Sequence, residues 1–157
     1  HGANSSSFEG PEASAILHHA LTVRLHEEFA MQYEANDQPH SATWLELDET
    51  ERVDAVMDYH RRAKLKLENL ELHAMTHVVV ENQVALGEAT AVPATLNRLM
   101  HEGLDRHEAI HAVGSILMSI VFDVLQAPDA GGDINARYSR ELATLTAAGW
   151  RSNLNDQ

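Results

Sequence analysis

Two histidine pairs constrain the fold of this chain more than any other feature. His73 and His77 are four positions apart, and so are His107 and His111. On an α-helix this spacing places both imidazoles on one face, about one turn apart, where they can bind the same metal ion. Both pairs fall among apolar residues that repeat at helical spacing, which predicts that they lie on buried helix faces. Two such helices facing each other would bring four imidazoles together.

The composition indicates which metals such a site would bind. The chain has no cysteine and 11 histidines in 157 residues, which excludes disulfides, thiolate zinc sites and iron–sulfur clusters. Imidazole with carboxylate suits zinc, iron, nickel or copper better than magnesium or calcium. We expect a divalent transition metal, zinc or iron, and the expected ligands are His73, His77, Glu81, His107 and His111.

Glu81 follows His77 by one further helical turn. This position predicts either a metal ligand or an acceptor for the N–H of a ligand histidine. Three more histidines are candidates to complete the ligand shell. His60 continues the apolar stripe of its helix, and His18 and His26 lie on the first predicted helix. Taken singly, each of the three is favoured as an ordinary histidine that is hydrogen-bonded within the protein.

Glu108 lies inside an H-E-x-x-H motif, which is typical of the zinc-binding helix of zincin metallohydrolases. In that interpretation Glu108 is a catalytic general base. Asp105 stands three residues before it, however, and the two together predict a capping box that begins the helix. The cap is slightly favoured because it also accounts for the helix start. It places His107 in the first turn, where the helix dipole favours the neutral, metal-binding imidazole.

The fold is predicted to be all-α, a helical bundle of four long helices with one or two short ones. Aromatic residues make up only 5% of the chain, and the aliphatic residues that replace them suit packed helices. Residues 1–10 are expected to be a disordered N-terminal segment that includes a tag remnant, and residues 11–150 a single bundle domain.

Apolar spacing, capping residues and Gly or Pro breaks predict the individual helices. They are expected over 11–34, from Asp48 onward, over 70–87, from about Pro93 to Gly103, over 105–126, and over 134–148 with Gly149 as the stop. The helix over 105–126 is predicted to bury Leu104, His107, His111, Gly114, Met118, Phe122 and Leu125.

Three motifs resemble a known family. They are L-H-x3-H-x3-E-x-Q over residues 72–83, G-L-x-R-H-E-A-I-H-A over residues 103–112, and Tyr138-x3-Leu142. They resemble a family of small bacterial proteins catalogued as a domain of unknown function. The resemblance covers a third to a half of the chain. It implies a helical fold with a histidine-based metal site and no particular reaction.

The charge and hydropathy patterns limit the partners that we expect. The net charge of −13 argues against nucleic acid or an anionic membrane surface. The apolar run from Val113 to Leu125 is interrupted by Gly, Ser and Asp, so we expect that it does not span a bilayer. No secretory signal is visible, and a cytoplasmic location is expected. Helical bundles with a site near an exposed face often dimerise, so a homodimer is expected.

The function predicted from these residues is a helical metal-binding protein with no assigned reaction or small-molecule ligand. One alternative is a zincin-like hydrolase, although no segment reads as the sheet edge that zincins use to bind peptide. Another is a histidine-rich di-iron redox or oxygen protein, although only Glu108 and His111 match the Glu-x-x-His motif of ferritin-like sites. A third is an interaction protein whose histidines form a pH switch without metal.

Overall fold

The computed structural model describes residues 15, 16, 18, 31–128 and 132–155. The chain divides into two compact units, 1–31 and 32–157. In the first unit, the described residues 15, 16 and 18 are helical and exposed. Of the predicted helix over 11–34, residues 11–14, 17 and 19–30 lie outside the described residues. Residues 32–34 are not helical, so the predicted end at Glu34 is wrong; Tyr33 instead buries its ring against Trp44 and Tyr59.

The second unit is a bundle of α-helices, and its described residues contain no strand. This confirms the predicted all-α fold. The helices are α1 (Ser41–Glu46), α2 (Glu49–Arg62), α3 (Leu70–Ala85), α4 (Val92–His101), α5 (Arg106–Gln126), α6 (Ile134–Thr144) and α7 (Ala147–Asn155), with a 3-10 turn at Gly87–Ala89 between α3 and α4.

Side-chain caps begin α2, α3 and α5, the helices that carry His60 and the two histidine pairs. Asp48 caps α2 in a capping box with Glu51, and Asp105 caps α5 in the same way with Glu108. The side chain of Asn69 accepts a hydrogen bond from the backbone N–H of Leu72 at the start of α3. Each cap satisfies a backbone donor that the first helical turn leaves without a partner. The predicted starts of these helices are confirmed.

The core lies where α3, α4 and α5 meet. α2 packs against α3, and α6 packs against α5. A missing side chain at Gly114 lets α3 and α5 approach closely, because a Cβ there would lie 2.8 Å from Cγ2 of Thr76. The core is filled mainly by aliphatic side chains: Val80, Val84, Val92, Leu96, Leu99, Leu104, Ile110, Val113 and Leu142, with Trp150 at its margin.

The second half of α5 is more exposed than the sequence predicts. Phe122 and Leu125 are 61% and 73% exposed, so their predicted burial is wrong. Every buried residue of α5 lies between Arg106 and Ile120, and the last six residues are all exposed. Helical spacing identifies an apolar face but not how much of the helix a partner covers.

The C-terminal region also differs from the prediction of one helix ended by Gly149. The chain breaks at Leu145, where the backbone is extended, and Gly149 lies inside α7. Arg98 stabilises the break by donating hydrogen bonds to the carbonyls of Leu142 and Leu145 at 2.9 and 2.6 Å. The Thr146 hydroxyl accepts a hydrogen bond from the N–H of Gly149 and starts the new helix.

Within the described residues, α5 is the one helix whose length and composition would allow it to cross a membrane. It has 21 residues, and its most apolar window has a mean hydropathy of 1.7 with one third of that window buried in the protein. The expectation that this segment does not span a bilayer stays a prediction.

The exposure of these residues predicts unequal effects of truncation on stability. Leu99→Ala is expected to lower the free energy of unfolding by about 2–5 kcal/mol, because Leu99 is fully buried and the substitution leaves a cavity. Phe122→Ala is expected to lower it by less than about 1 kcal/mol, since most of that ring is already in water. Urea unfolding measures both, and a loss for Phe122→Ala as large as for Leu99→Ala would contradict this packing.

Candidate metal centre

The structure brings five histidines into one cluster. Each offers a ring nitrogen, and these nitrogens lie within 4.8 Å of one another. Three helices contribute to the histidine cluster: α2, α3 and α5. Its members are His60, His73, His77, His107 and His111.

The inward-facing nitrogens approach each other in pairs. Nε2 of His60 lies 3.0 Å from Nε2 of His73, and Nε2 of His77 lies 2.9 Å from Nε2 of His111. Nε2 of His107 is buried and has no hydrogen-bond partner among the described residues. A buried polar atom without a partner is costly in free energy. A metal ion beside it is one way to satisfy it.

The outward nitrogens of two rings have partners that fix their protonation. Nδ1 of His60 lies 2.9 Å from the carbonyl oxygen of Val56, an acceptor only, so Nδ1 carries the proton and donates it. Nδ1 of His77 lies 3.3 Å from the hydroxyl oxygen of Tyr33, whose own proton is donated to Glu81 at 2.8 Å. Nδ1 of His77 is therefore the donor. In both rings the lone pair sits on Nε2 and points into the cluster.

Glu81 is buried beside the histidine cluster. Its side chain is 1% exposed, and both carboxylate oxygens accept hydrogen bonds from the Arg106 guanidinium at 2.7 Å. Tyr33 connects the same carboxylate to His77. The Tyr33 hydroxyl thus lies between the ring of His77 and Glu81, so Glu81 does not accept the ring N–H directly. The histidine cluster does not include Glu81.

Arg106 links this ion pair to the rest of the fold. It also donates a hydrogen bond to the carbonyl of Ala35 at 2.9 Å, which ties the start of α5 to the loop that carries Tyr33. A bidentate guanidinium–carboxylate pair fixes both orientation and position. Tyr33 and Arg106 were not among the residues predicted for the site. Arg106 stands directly before His107 in the sequence, whereas nothing local marks Tyr33.

Glu108 belongs to the start of α5. Its carboxylate accepts a hydrogen bond from the backbone N–H of Asp105 at 2.9 Å and lies 3.6 Å from Arg151. The predicted capping box is confirmed. The geometry therefore assigns Glu108 a structural contact, and the histidine cluster does not include it.

The other candidate histidines differ in placement. His60, which the sequence favoured as an ordinary interior residue, lies in the cluster because α2 packs against α3. His18 is exposed. His26 lies outside the described residues. The apolar stripe that ends at His60 was the available signal for the fifth member.

The histidine cluster holds its rings in the neutral form. Burial, with the nearby imidazoles of His60 and His107, lowers the pKa of His73 to about 4. Burial and the neighbouring His107, His73 and His60 lower the pKa of His111 to about 3. Burial also lowers the pKa of His77, which falls furthest below its ordinary value. Neutral imidazole is the form that binds metal ions.

No protein-family model matches this chain, and neither the curated proteins nor the solved structures include one that matches it. The resemblance of its motifs to a bacterial family of unknown function therefore stays a prediction.

The lowered pKa values predict that the metal-free protein loses stability in mild acid. An unfolded histidine has a pKa near 6.5, so from about pH 6.5 down to about pH 4 the unfolded chain binds more protons than the folded one. As the pH is lowered across this window, the free energy of unfolding should decrease, by up to about 1.4 kcal/mol per pH unit for each histidine. Urea unfolding in EDTA at pH 7.5, 6 and 5 measures the slope.

Two variants control this measurement. His73→Gln should reduce the dependence on pH, because it removes one group whose folded pKa is lowered. His101→Gln replaces an exposed histidine of α4 that is outside the cluster, and it should behave like the unmodified chain. Equal stability at pH 7.5 and pH 5 would contradict a neutral, buried cluster.

Proposed function

We propose that this chain is a helical metalloprotein that binds one transition-metal ion through five histidines, with iron(II) as the preferred ion. The ligands are His60, His73, His77, His107 and His111. Glu81 is assigned to positioning the ligands rather than to the ion itself. The observation that supports the proposal is the convergence of five ring nitrogens within 4.8 Å.

This spacing favours one ion over two. Ligand bonds of 2.0–2.1 Å put the opposite ligands of one ion about 4.2 Å apart. The ions of a two-metal site are about 3.5–4 Å apart, and ligands on their far sides are separated by considerably more. Five nitrogens within 4.8 Å match a single shell. The di-iron alternative also lacks a carboxylate in the cluster, since Arg106 and Tyr33 already bind Glu81.

The number of nitrogens favours iron over zinc. Protein zinc sites are mostly tetrahedral, with four ligands. Five nitrogens suit an ion with five or six ligands, and imidazole is an accepted ligand of iron.

The charge around the cluster supports the reduced, divalent ion. All five candidate ligands are neutral, and the nearby carboxylate of Glu81 is paired with the Arg106 guanidinium. An additional positive charge on the ion would have no carboxylate ligand to balance it in a poorly solvated site. When bound, such an ion would supply Lewis acidity or one-electron redox chemistry at its open position.

The residues of the chain have separate tasks in this proposal. The carbonyl of Val56 orients His60, and Tyr33 orients His77, so that each presents a lone pair to the ion. The Glu81–Arg106 pair holds Tyr33 in place. Low imidazole pKa values keep the ligands from being lost to protons near neutral pH.

Metal content tests the proposal directly. Full-length protein loaded anaerobically with iron(II) and then desalted should retain about one ion per chain by elemental analysis. His77→Gln and His111→Gln should each lose most of it, because each removes one of the five ligands. His101→Gln is the matched control, since His101 lies outside the cluster, and it should retain the ion. Full metal content in both cluster variants would overturn the proposal.

The hydrogen bond from His77 to Tyr33 predicts a second effect. Tyr33→Phe should weaken iron(II) binding by about 10- to 100-fold, because groups that orient a ligand have effects of this size. Tyr138→Phe is the matched control: its hydroxyl donates a hydrogen bond to Gln83 at 3.0 Å and contacts none of the histidines. Competition with a chromophoric chelator at pH 7.5 measures both. Equal affinities in the two variants would show that Tyr33 does not support the site.

A further inference from the structure

A cavity of about 320 Å³ opens beside the histidine cluster, between α3 and α5. Three of the five histidines line it: His73, His77 and His111. Leu72, Ile110 and Met118 form much of the remaining wall. The other two histidines, His60 and His107, do not line it and instead pack against the ring of Tyr59. The cavity therefore gives access to one side of the cluster.

The polar side chains that line the cavity are already hydrogen-bonded within their own helices. The hydroxyl of Thr76 donates to the carbonyl of Leu72 at 2.9 Å, and that of Ser115 donates to the carbonyl of Ala112 at 2.7 Å. The side-chain oxygen of Asn69 caps α3. Among the residues that the structure describes, none with a charged side chain lines the cavity. A bound molecule would find apolar walls and the histidine face.

We propose that this cavity binds a small molecule with an apolar body and one donor atom, and that this donor atom binds the metal ion at the position that the five histidines leave open. The inference rests on the proposed metal site. The cavity volume lies at the lower end of the range for small-molecule sites, which limits the ligand to a short one. Walls without charge do not provide the charge-assisted hydrogen bonds that recognise phosphates and nucleotides. A short-chain monocarboxylate has the stated chemistry and serves as the probe.

Cobalt(II)-loaded protein tests this proposal, because the visible absorption of cobalt(II) reports a new ligand on the ion. Azide should change the spectrum, since it needs only access to the ion. Acetate, butyrate and hexanoate should bind with affinities that rise with length, by up to about fourfold for each methylene buried. An affinity for hexanoate no greater than that for acetate would overturn the proposal.

Two matched variants locate the binding site of the alkyl chain. Met118→Gln changes a residue of the cavity wall with little change in volume. It should reduce the gain in carboxylate affinity with chain length while azide binding is unchanged. Met75→Gln changes an exposed methionine of α3 that does not line the cavity, and it should leave the gain as it is. Equal gains in the two variants would overturn the proposed site.

The outcomes separate this inference from the proposed function. If cobalt(II) binds and azide shifts its spectrum, but the affinities for acetate, butyrate and hexanoate are equal, the metal site stands and the cavity proposal fails. If the protein binds neither cobalt(II) nor iron(II), both proposals fail.

Discussion

The convergence of five imidazoles, two of them buried and three half-buried, is the constraint on which the arrangement of α2, α3 and α5 depends. Their nitrogens lie within 4.8 Å of one another, so a proton added to one ring places a positive charge beside four neighbours. The rings therefore stay neutral, and each can direct one lone pair inward. Val56 and Tyr33 receive the outward protons of two rings. Paired Nε2 contacts satisfy four of the inner nitrogens, while Nε2 of His107 has no partner in the part of the chain that the structure describes. A metal ion would satisfy all five together.

The buried ion pair of Glu81 and Arg106 supports this cluster through Tyr33, which connects Glu81 to His77. Breaking such a pair leaves a buried charge without a partner and is strongly destabilising. Glu81 and Arg106 are joined by two hydrogen bonds of 2.7 Å, which connect α3 to the first turn of α5. Because Arg106 neutralises this carboxylate, the proposed ligand set remains five neutral nitrogens. That set would leave the full charge of a divalent ion available to a molecule in the uncharged cavity beside it.

The features that could be predicted from the sequence are the local ones. Four-residue spacing placed both histidine pairs, and Asp105 with Glu108 gave the helix start, because each depends on neighbours within one helix. The ion pair of Glu81 could not be predicted, since Arg106 lies 25 positions away and the spacing equally suited a ligand. His60 joins the cluster only through packing between helices. The burial expected for Phe122 was wrong for the same reason: periodicity identifies a face but not its partner.

X-ray absorption at the iron K-edge of the iron(II)-loaded protein tests the central claim most directly. The account predicts a first shell dominated by nitrogen near 2.1 Å, with multiple scattering from five imidazoles and no iron–iron vector. A signal from a second iron at about 3.5–4 Å, or a shell with fewer than four imidazoles, would contradict a five-histidine site for one ion.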